Sequence, residues 1–445
     1  MTTDTRTQRT TESKEERRLG RDFNRFWAGT MVAGLGDGML FTALPLLAAL
    51  FTHDPLLVAG LMVAQSLPWL LFGLPVGVLV DRWDRGRIVT CSNLIRAGTV
   101  LVLSVLVATG NADIWTLYVV MFVVMTCDIF FEVATQTMVL GLAPVGGLDR
   151  ANARLTGGRT LTEDFSGAPL AGLLFAVAAV LPLAVNVGAY VLSALILLAL
   201  PMAVRRPREE DVSSDEEGKG EEKGSVLAEL KEGMRYVYTD APLRTVVVIS
   251  TVMRMALAAQ GAVMVLLVLR HFEVPEELYG VFMSTAAVGA VVGVLLVGRV
   301  VERLGRFRLV VTAFTAMGVS CLLLALSPNA YLGAAAWALL AMSGTVSGTV
   351  TVGAAQLIVP ERIIGRVMSC VRMISFGLAP VGALLGGLLA GMDLRLPSLV
   401  AGTALLLVLL LTVRAVRIML GRADENEARM WEEETEETER ISPGR

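Results

Sequence analysis

The sequence predicts an all-α integral membrane protein, with twelve transmembrane helices in two pseudo-symmetric six-helix bundles. Three observations carry that prediction. The 445-residue chain is 54% hydrophobic and only 18% charged, with a mean hydropathy of +0.65. A soluble core cannot hide that much apolar surface, so lipid must act as solvent. Apolar stretches of about 20 residues, enough to cross about 30 Å of hydrocarbon at about 1.5 Å per residue, recur throughout the chain. Finally, the turn holding Gly77, Asp81, Arg82, Arg85, Gly86 and Arg87 returns 221 residues later, close to half the chain length. There Gly298, Glu302, Arg303, Arg306 and Arg308 echo five of its positions.

The spans are expected at 23–51, 55–80, 88–108, 113–141, 156–180, 183–204, 241–270, 276–300, 308–327, 330–358, 363–391 and 396–419. Several exceed the crossing length, which implies tilt, kinks or protruding ends. They group into a first bundle at 23–204 and a second at 241–419, with an N-terminal arm at 1–22, a linker at 205–240 and an acidic tail at 420–445. The arm is basic and lacks the apolar core and cleavage site of a signal peptide, so the first span is expected to be retained. Pro207, Ser213, Ser214, Gly218 and Gly220 argue against packing in the linker. Its end, Ser225 to Tyr238, has the helical spacing of a short amphipathic helix on the membrane face. The acidic runs Glu209 to Glu222 and Glu425 to Glu439 read as solvated, disordered segments, with partner binding as the alternative.

Cations near span ends stay in the cytoplasm. The arm, the 81–87 turn, Arg150 with Arg154, the linker, the 299–308 turn, Arg362 with Arg366, and the tail are rich in Arg. The alternate loops hold only Arg270 and Arg395, so both termini are expected inside. With 34 Arg against four Lys and abundant Ala, Val and Gly, the composition points to a GC-rich bacterial genome and hence to the bacterial cytoplasmic membrane.

Several chemistries find no residues to support them. Cys91, Cys127, Cys321 and Cys370 fall inside spans at unrelated spacing, so disulfides and metal sites are not expected. His53 and His271 lie at outer span ends as solvated loop residues, with pH sensing as the alternative. No nucleotide-binding glycine loop, nucleophile cluster or soluble basic domain is present, which argues against an enzyme and against nucleic acid as a partner.

Ionisable residues at membrane depth are costly and usually face a cavity or a partner, so they are the site candidates. Asp37 lies near mid-depth in span 1, and Asp128 and Glu132 share one face of span 4, which Thr135 and Gln136 extend. Arg254 lies at similar depth in span 7, and Ser343, Ser347 and Thr351 recur at helical spacing in span 10. At the 221-residue offset, Asp37 maps to Ala258, Asp128 to Thr349, Glu132 to Gly353 and Arg254 to Ala33. Charges absent from the other copy are not needed by the duplicated scaffold, which favours proton or substrate handling. The alternative is a structural pair of Arg254 with Asp37 or Glu132. Like charges one helical turn apart disfavour joint ionisation, so Asp128 and Glu132 are candidates to share a proton. Glu163, Asp164, Arg159, Arg96 and Arg372 are expected to form an inner network, and Gly167, Pro169 and Gly172 to kink span 5.

The stretch Gly77 to Arg87 resembles the loop signature between spans 2 and 3 of the major facilitator superfamily, and 298–308 resembles its weaker second copy. The stretches Leu148 to Asn152, Gly167 to Gly172, and Pro360 to Ser369 followed by Pro380 to Gly382 resemble the enterobactin-exporter-like and macrolide-efflux-like branch. The resemblance covers all twelve spans and implies the major facilitator fold, in which spans 1, 4, 7 and 10 line the cavity. It further implies that Asp81 latches onto the start of span 11 near Gly365 in the outward-facing state. The alternative reading of that turn is that its arginines only set topology. Two departures stand out: Ala168 and Ala171 replace a Pro and a Gly usual in the exporter motif, and span 4 lacks the Arg common among proton-coupled exporters.

The expected function is a monomeric secondary transporter that exports a hydrophobic or amphipathic small molecule by alternating access. The expected energy source is the proton gradient, with no cofactor. Mostly Leu, Val, Ala, Gly and Met walls suit such cargo. Import of a small metabolite and a non-transporting receptor are the alternatives.

Overall fold

The computed structural model describes residues 20–73, 76, 79–80, 83–142, 148–200, 234–235, 238–359, 367, 371, 373–375 and 377–441. Gly77, Asp81, Arg82, Gly365, Cys370 and Arg372, most of the linker and nearly all of 360–370 lie outside them. Every regular element among the described residues is helical.

The chain divides into two compact units. Unit 1 comprises Met1–Glu221 with Val274–Ser284, and unit 2 comprises Glu222–Glu273 with Thr285–Arg445. Unit 1 contains α1 (Arg21–Phe51), α2 (Pro55–Phe72), α3 (Arg85–Ala108), α4 (Ile114–Leu142), α5 (Leu148–Arg159), a π-helix π1 (Thr160–Gly167), α6 (Ala168–Val177) and α7 (Leu181–Leu198). Unit 2 contains α8 (Ala241–Leu266), π2 (Leu267–His271), most of α9 (Glu276–Leu326), α10 (Ala330–Ile358), α11 (Ala379–Met392) and α12 (Leu396–Ile441).

Short polar residues set where helices begin. Asp54, Asp84, Asp240 and Asn329 each accept a backbone N–H from the first turn that follows, leaving fewer orphan donors. Pro55 follows Asp54 at the first helical position, where its missing N–H costs nothing. Asp113, ahead of α4, accepts from both the hydroxyl and the N–H of Thr116, and these bonds hold its carboxyl below the usual range.

Ten helices among the described residues are long and apolar enough to cross a membrane. Their outward faces carry large apolar side chains such as Leu101, Val102, Leu195, Leu295 and Leu410. In water such a surface would aggregate; against lipid it needs no cover. The eighth and ninth expected spans run on as the 51-residue α9, broken at Gly305, whose φ of 74° lies in the left-handed region that glycine adopts without strain. The expected fifth span is built from three consecutive pieces, α5, π1 and α6.

The acidic tail departs from expectation. Instead of a disordered run, α12 continues as helix to Ile441. Glutamate favours helix, and the extension is tied down at its root. Arg306 bonds Asp424 at 2.5 Å and Glu427 at 2.8 Å, Arg422 lies 3.4 Å from Asp240, and Asn426 donates to the Leu357 carbonyl.

Candidate functional site

Polar residues in unit 1 converge on one buried point. Asp37 of α1, Arg96 of α3 and Asp128 of α4 are only 3%, 0% and 7% exposed. Nη2 of Arg96 donates to Oδ1 of Asp37 and to Oδ1 of Asp128, each at 2.7 Å. The Tyr190 hydroxyl of α7 donates to the same Asp37 oxygen at 2.6 Å, and Asn93 accepts from the other terminal nitrogen of Arg96 at 3.3 Å. The rings of Phe131 and Tyr190 lie 5.5 and 4.7 Å from the guanidinium carbon, a favourable setting for a desolvated cation.

The surrounding helices hold this cluster in register. Along α7, Asn186, Tyr190 and Ser193 fall on one face, and Asn186 and Ser193 donate to the Gly36 and Gly29 carbonyls of α1. Asn93 donates to Ser193, which joins α3 to the same ladder. Helices α1, α3 and α7 are thereby fixed around a single guanidinium, which itself reaches across to Asp128 of α4.

Asp37 also faces a pocket of about 580 Å³, whose ionisable lining adds Glu132, Arg159, Glu163 and Asp164. Gln136 donates to Glu132 at 3.1 Å, and Arg159 lies 3.6 Å from Glu163. Glu163 and Asp164 project from π1, whose wider turn changes the angular spacing of side chains relative to an α-helix. Gly38 makes the crossing with π1 possible, since a Cβ there would overlap the Glu163 backbone carbonyl. Pro169 is the second residue of α6, in the first turn after π1, so the π segment ends next to the residue whose N–H is missing. Gly167 lies against Gly38, and Gly172 against the Glu277 carbonyl.

Some expected groupings change. Arg96, assigned to the inner network, instead bridges Asp37 and Asp128, while Arg159 and Glu163 keep each other's company. Within unit 1, Asp37 has Arg96 as its partner. Asp128 and Glu132 have different partners, Arg96 and Gln136. In the turn motif Gly86 is buried and Arg87 exposed; Glu302 and Arg303 of the second copy are exposed on α9. Asn93, Asn186, Tyr190 and Ser193 were not singled out from the sequence. The signal was present, because the α7 residues recur at four- and three-residue spacing in an otherwise apolar helix.

The polar stripe of α10 is quieter. Ser343 and Ser347 donate to carbonyls of their own helix, and a smaller cavity of about 210 Å³ beside Ser343 is walled mainly by apolar residues of α9 and α10.

Known proteins agree with this architecture. The chain is 27% identical over 274 residues to the uncharacterized MFS-type transporter YfiS of Bacillus subtilis, a match spanning 61% of this chain and 62% of that one, less than two thirds of its length. It is 24% identical to macrolide efflux protein A of Streptococcus pyogenes, covering 83% of this chain and 89% of that one. It is 25% identical to the multidrug efflux pump Tap of Mycolicibacterium fortuitum, covering 84% and 92%. Among solved structures, the nucleoside transporter NupG superposes with a TM-score of 0.68 at 12% identity, over 90% of this chain and 99% of that one, which shows the fold. The family model described as transmembrane secretion effector matches residues 20–442. Together with the paired units and apolar spans, that match makes the chain a multi-pass membrane transporter of the transmembrane secretion effector family, within the major facilitator superfamily.

Proposed function

We propose that this transporter is a proton-driven exporter of amphipathic small molecules, with Asp37, Arg96 and Asp128 as the proton-handling centre. The observation that supports this most is one guanidinium nitrogen bridging two buried carboxyl groups, one of which opens onto the pocket. With both carboxyls ionised the trio carries one negative charge too many, and charge withdrawn from water is costly. One proton makes the trio neutral. A site that gains that proton facing one side and releases it facing the other links the gradient to the change of access. The pocket sets three further carboxyls, Glu132, Glu163 and Asp164, against Arg159, so its best complement is an apolar body carrying a basic amine.

Outward transport is supported by the macrolide and multidrug efflux relatives. A monomer in the bacterial cytoplasmic membrane with both termini inside completes the reading; the Arg-rich turns favour that orientation.

Vesicles reconstituted with the purified protein and given a pH gradient test it, using a fluorescent lipophilic amine as cargo. Gradient-driven movement is expected for the native chain. In Asp37→Asn and Asp128→Asn it should vanish while exchange without a gradient persists. Undiminished gradient-driven transport in both variants would falsify the proton role, and uptake in the reverse sense would make the protein an importer.

A further inference from the structure

Unit 1 holds a second cavity, as large as the first but facing another way. About 610 Å³ in volume, it lies between α3 and α4, with Trp83, Arg87, Cys91, Ile95, Cys127 and Phe130 in its wall. Ile95 and its neighbour Leu94 are exposed large apolar side chains, so this groove opens on the surface that spanning helices turn to lipid.

Its mouth has a different chemistry from its floor. Trp83 is exposed there, and the Arg87 side chain is 84% exposed. Asp84, the acid at the mouth, spends one oxygen capping α3 through the Arg87 N–H and lies 3.9 Å from the Arg87 side chain with the other. That contact is long and the Arg87 side chain stands almost wholly in the open, so its guanidinium can take a phosphate as well. Trp and Arg at a span end mark the headgroup level of a bilayer, and basic sites between spans attract acidic lipid. From Ile88 to Ile95 the apolar wall runs about 10 Å along the helix axis at about 1.5 Å per residue, a depth that suits the first half of an acyl chain.

We propose that this groove is a binding site for an acidic phospholipid of the leaflet on the Arg-rich side, one acyl chain lying between α3 and α4 and the phosphate on Arg87. The position gives the lipid a route to the transport machinery. Ser92, also in the groove wall, is one helical turn before Arg96, and Cys127 immediately precedes Asp128. The groove is thus the back of the wall whose other side holds the ionic cluster. The site stands on its own geometry, whatever the cargo proves to be.

Native mass spectrometry of the purified full chain tests it, with phosphatidylglycerol and phosphatidylcholine added in equal amounts. One phosphatidylglycerol is expected to be retained about fivefold more strongly, the advantage of about one guanidinium at an anionic surface. The preference should disappear in Arg87→Gln and persist in Arg87→Lys. In Cys91→Phe, which fills the groove, retention of that one lipid should be lost. Equal retention of both lipids by the native chain, or a preference that survives Arg87→Gln in protein that elutes as one symmetric peak, overturns the proposal in favour of ordinary annular lipid.

Discussion

Arg96 in unit 1 and Met317 in unit 2 stand 221 residues apart, at matching places in the two copies, and both are fully buried. Asp37 and Asp128 surround the first, whereas the matching positions in unit 2 are Ala258 and Thr349. Met317 packs with Phe314, Cys321, Leu340 and Leu405 in an apolar core. The helix crossing, by contrast, is common to both units. A Cβ on Gly38 would overlap the Glu163 carbonyl, and at the matching Ala259 the backbone carbonyl fills the place of a Cβ on Gly386. Close backbone approach is a property of the scaffold; among the described residues, fully buried charge belongs to unit 1. One ionic centre suffices for the proton role proposed above, and the matching positions of the other copy carry no charge.

The most damaging way to test that contrast is to write unit 2 into unit 1. Arg96→Met leaves two carboxyls buried without their cation and is expected to cost about 3–5 kcal/mol as well as all transport. The triple change Asp37→Ala, Arg96→Met and Asp128→Thr should recover most of that stability, because no charge is stranded, and still fail to move cargo along a pH gradient. Thermal unfolding of purified protein and flux in vesicles measure the two effects. Gradient-driven flux in the triple variant would place proton handling elsewhere.

A smaller change sharpens the role of α7. Tyr190→Phe removes the hydroxyl that donates to Asp37, a bond to a charged group worth about 1.5–3 kcal/mol. Gradient-driven transport is expected to slow, while Leu411→Phe at the matching exposed position of unit 2 should leave both stability and flux unchanged. Equal effects at the two positions would mean that the hydroxyl is not what matters.

The shared crossing predicts the opposite pattern. Gly38→Ala and Gly386→Ala both force a methyl onto a backbone carbonyl, so each should destabilise its unit by about 1–3 kcal/mol. Destabilisation at Gly38 without destabilisation at Gly386, read from the same unfolding curves, breaks the idea of a duplicated scaffold.

How much of this was legible in the sequence differs between scaffold and site for the same reason. Apolar length is a property of the chain taken one segment at a time, so the apolar spans could be read directly, and the described residues show ten. Asp37 and Asp128 were legible as intramembrane acids, since a costly residue type announces itself. The choice of partner was not. Arg96 lies in the same helix as Asn93 and Ser92, and only the rotation of α3 against α1 and α4 decides which acids it meets. Tyr190 was missed because a tyrosine carries no charge to mark it, although Asn186 and Ser193 flank it at helical spacing. The helical tail was missed because composition alone reads an acidic run as solvated. Its fixing by Arg306 depends on residues more than a hundred positions away.

That fixing supplies the finest point of the comparison. Arg85 and Arg306 are matching residues of the repeated turn, yet Arg306 has Asp424 and Glu427 from α12, and α12 extends beyond anything described at the end of unit 1. The acids of this network are half-exposed, so water and salt screen it and its worth is about 1 kcal/mol or less. Arg306→Gln should lower the unfolding temperature slightly in dilute buffer and not at all at about 1 M salt, where the screening length falls to about 3 Å. Arg85→Gln should show no salt-dependent loss, since no ion pair of Arg85 occurs among the described residues. A deficit in Arg306→Gln that survives high salt would mean that α12 is held by packing of Met419, Leu420 and Ala423 rather than by charge, and that the two turns differ in what covers them rather than in how they are paired.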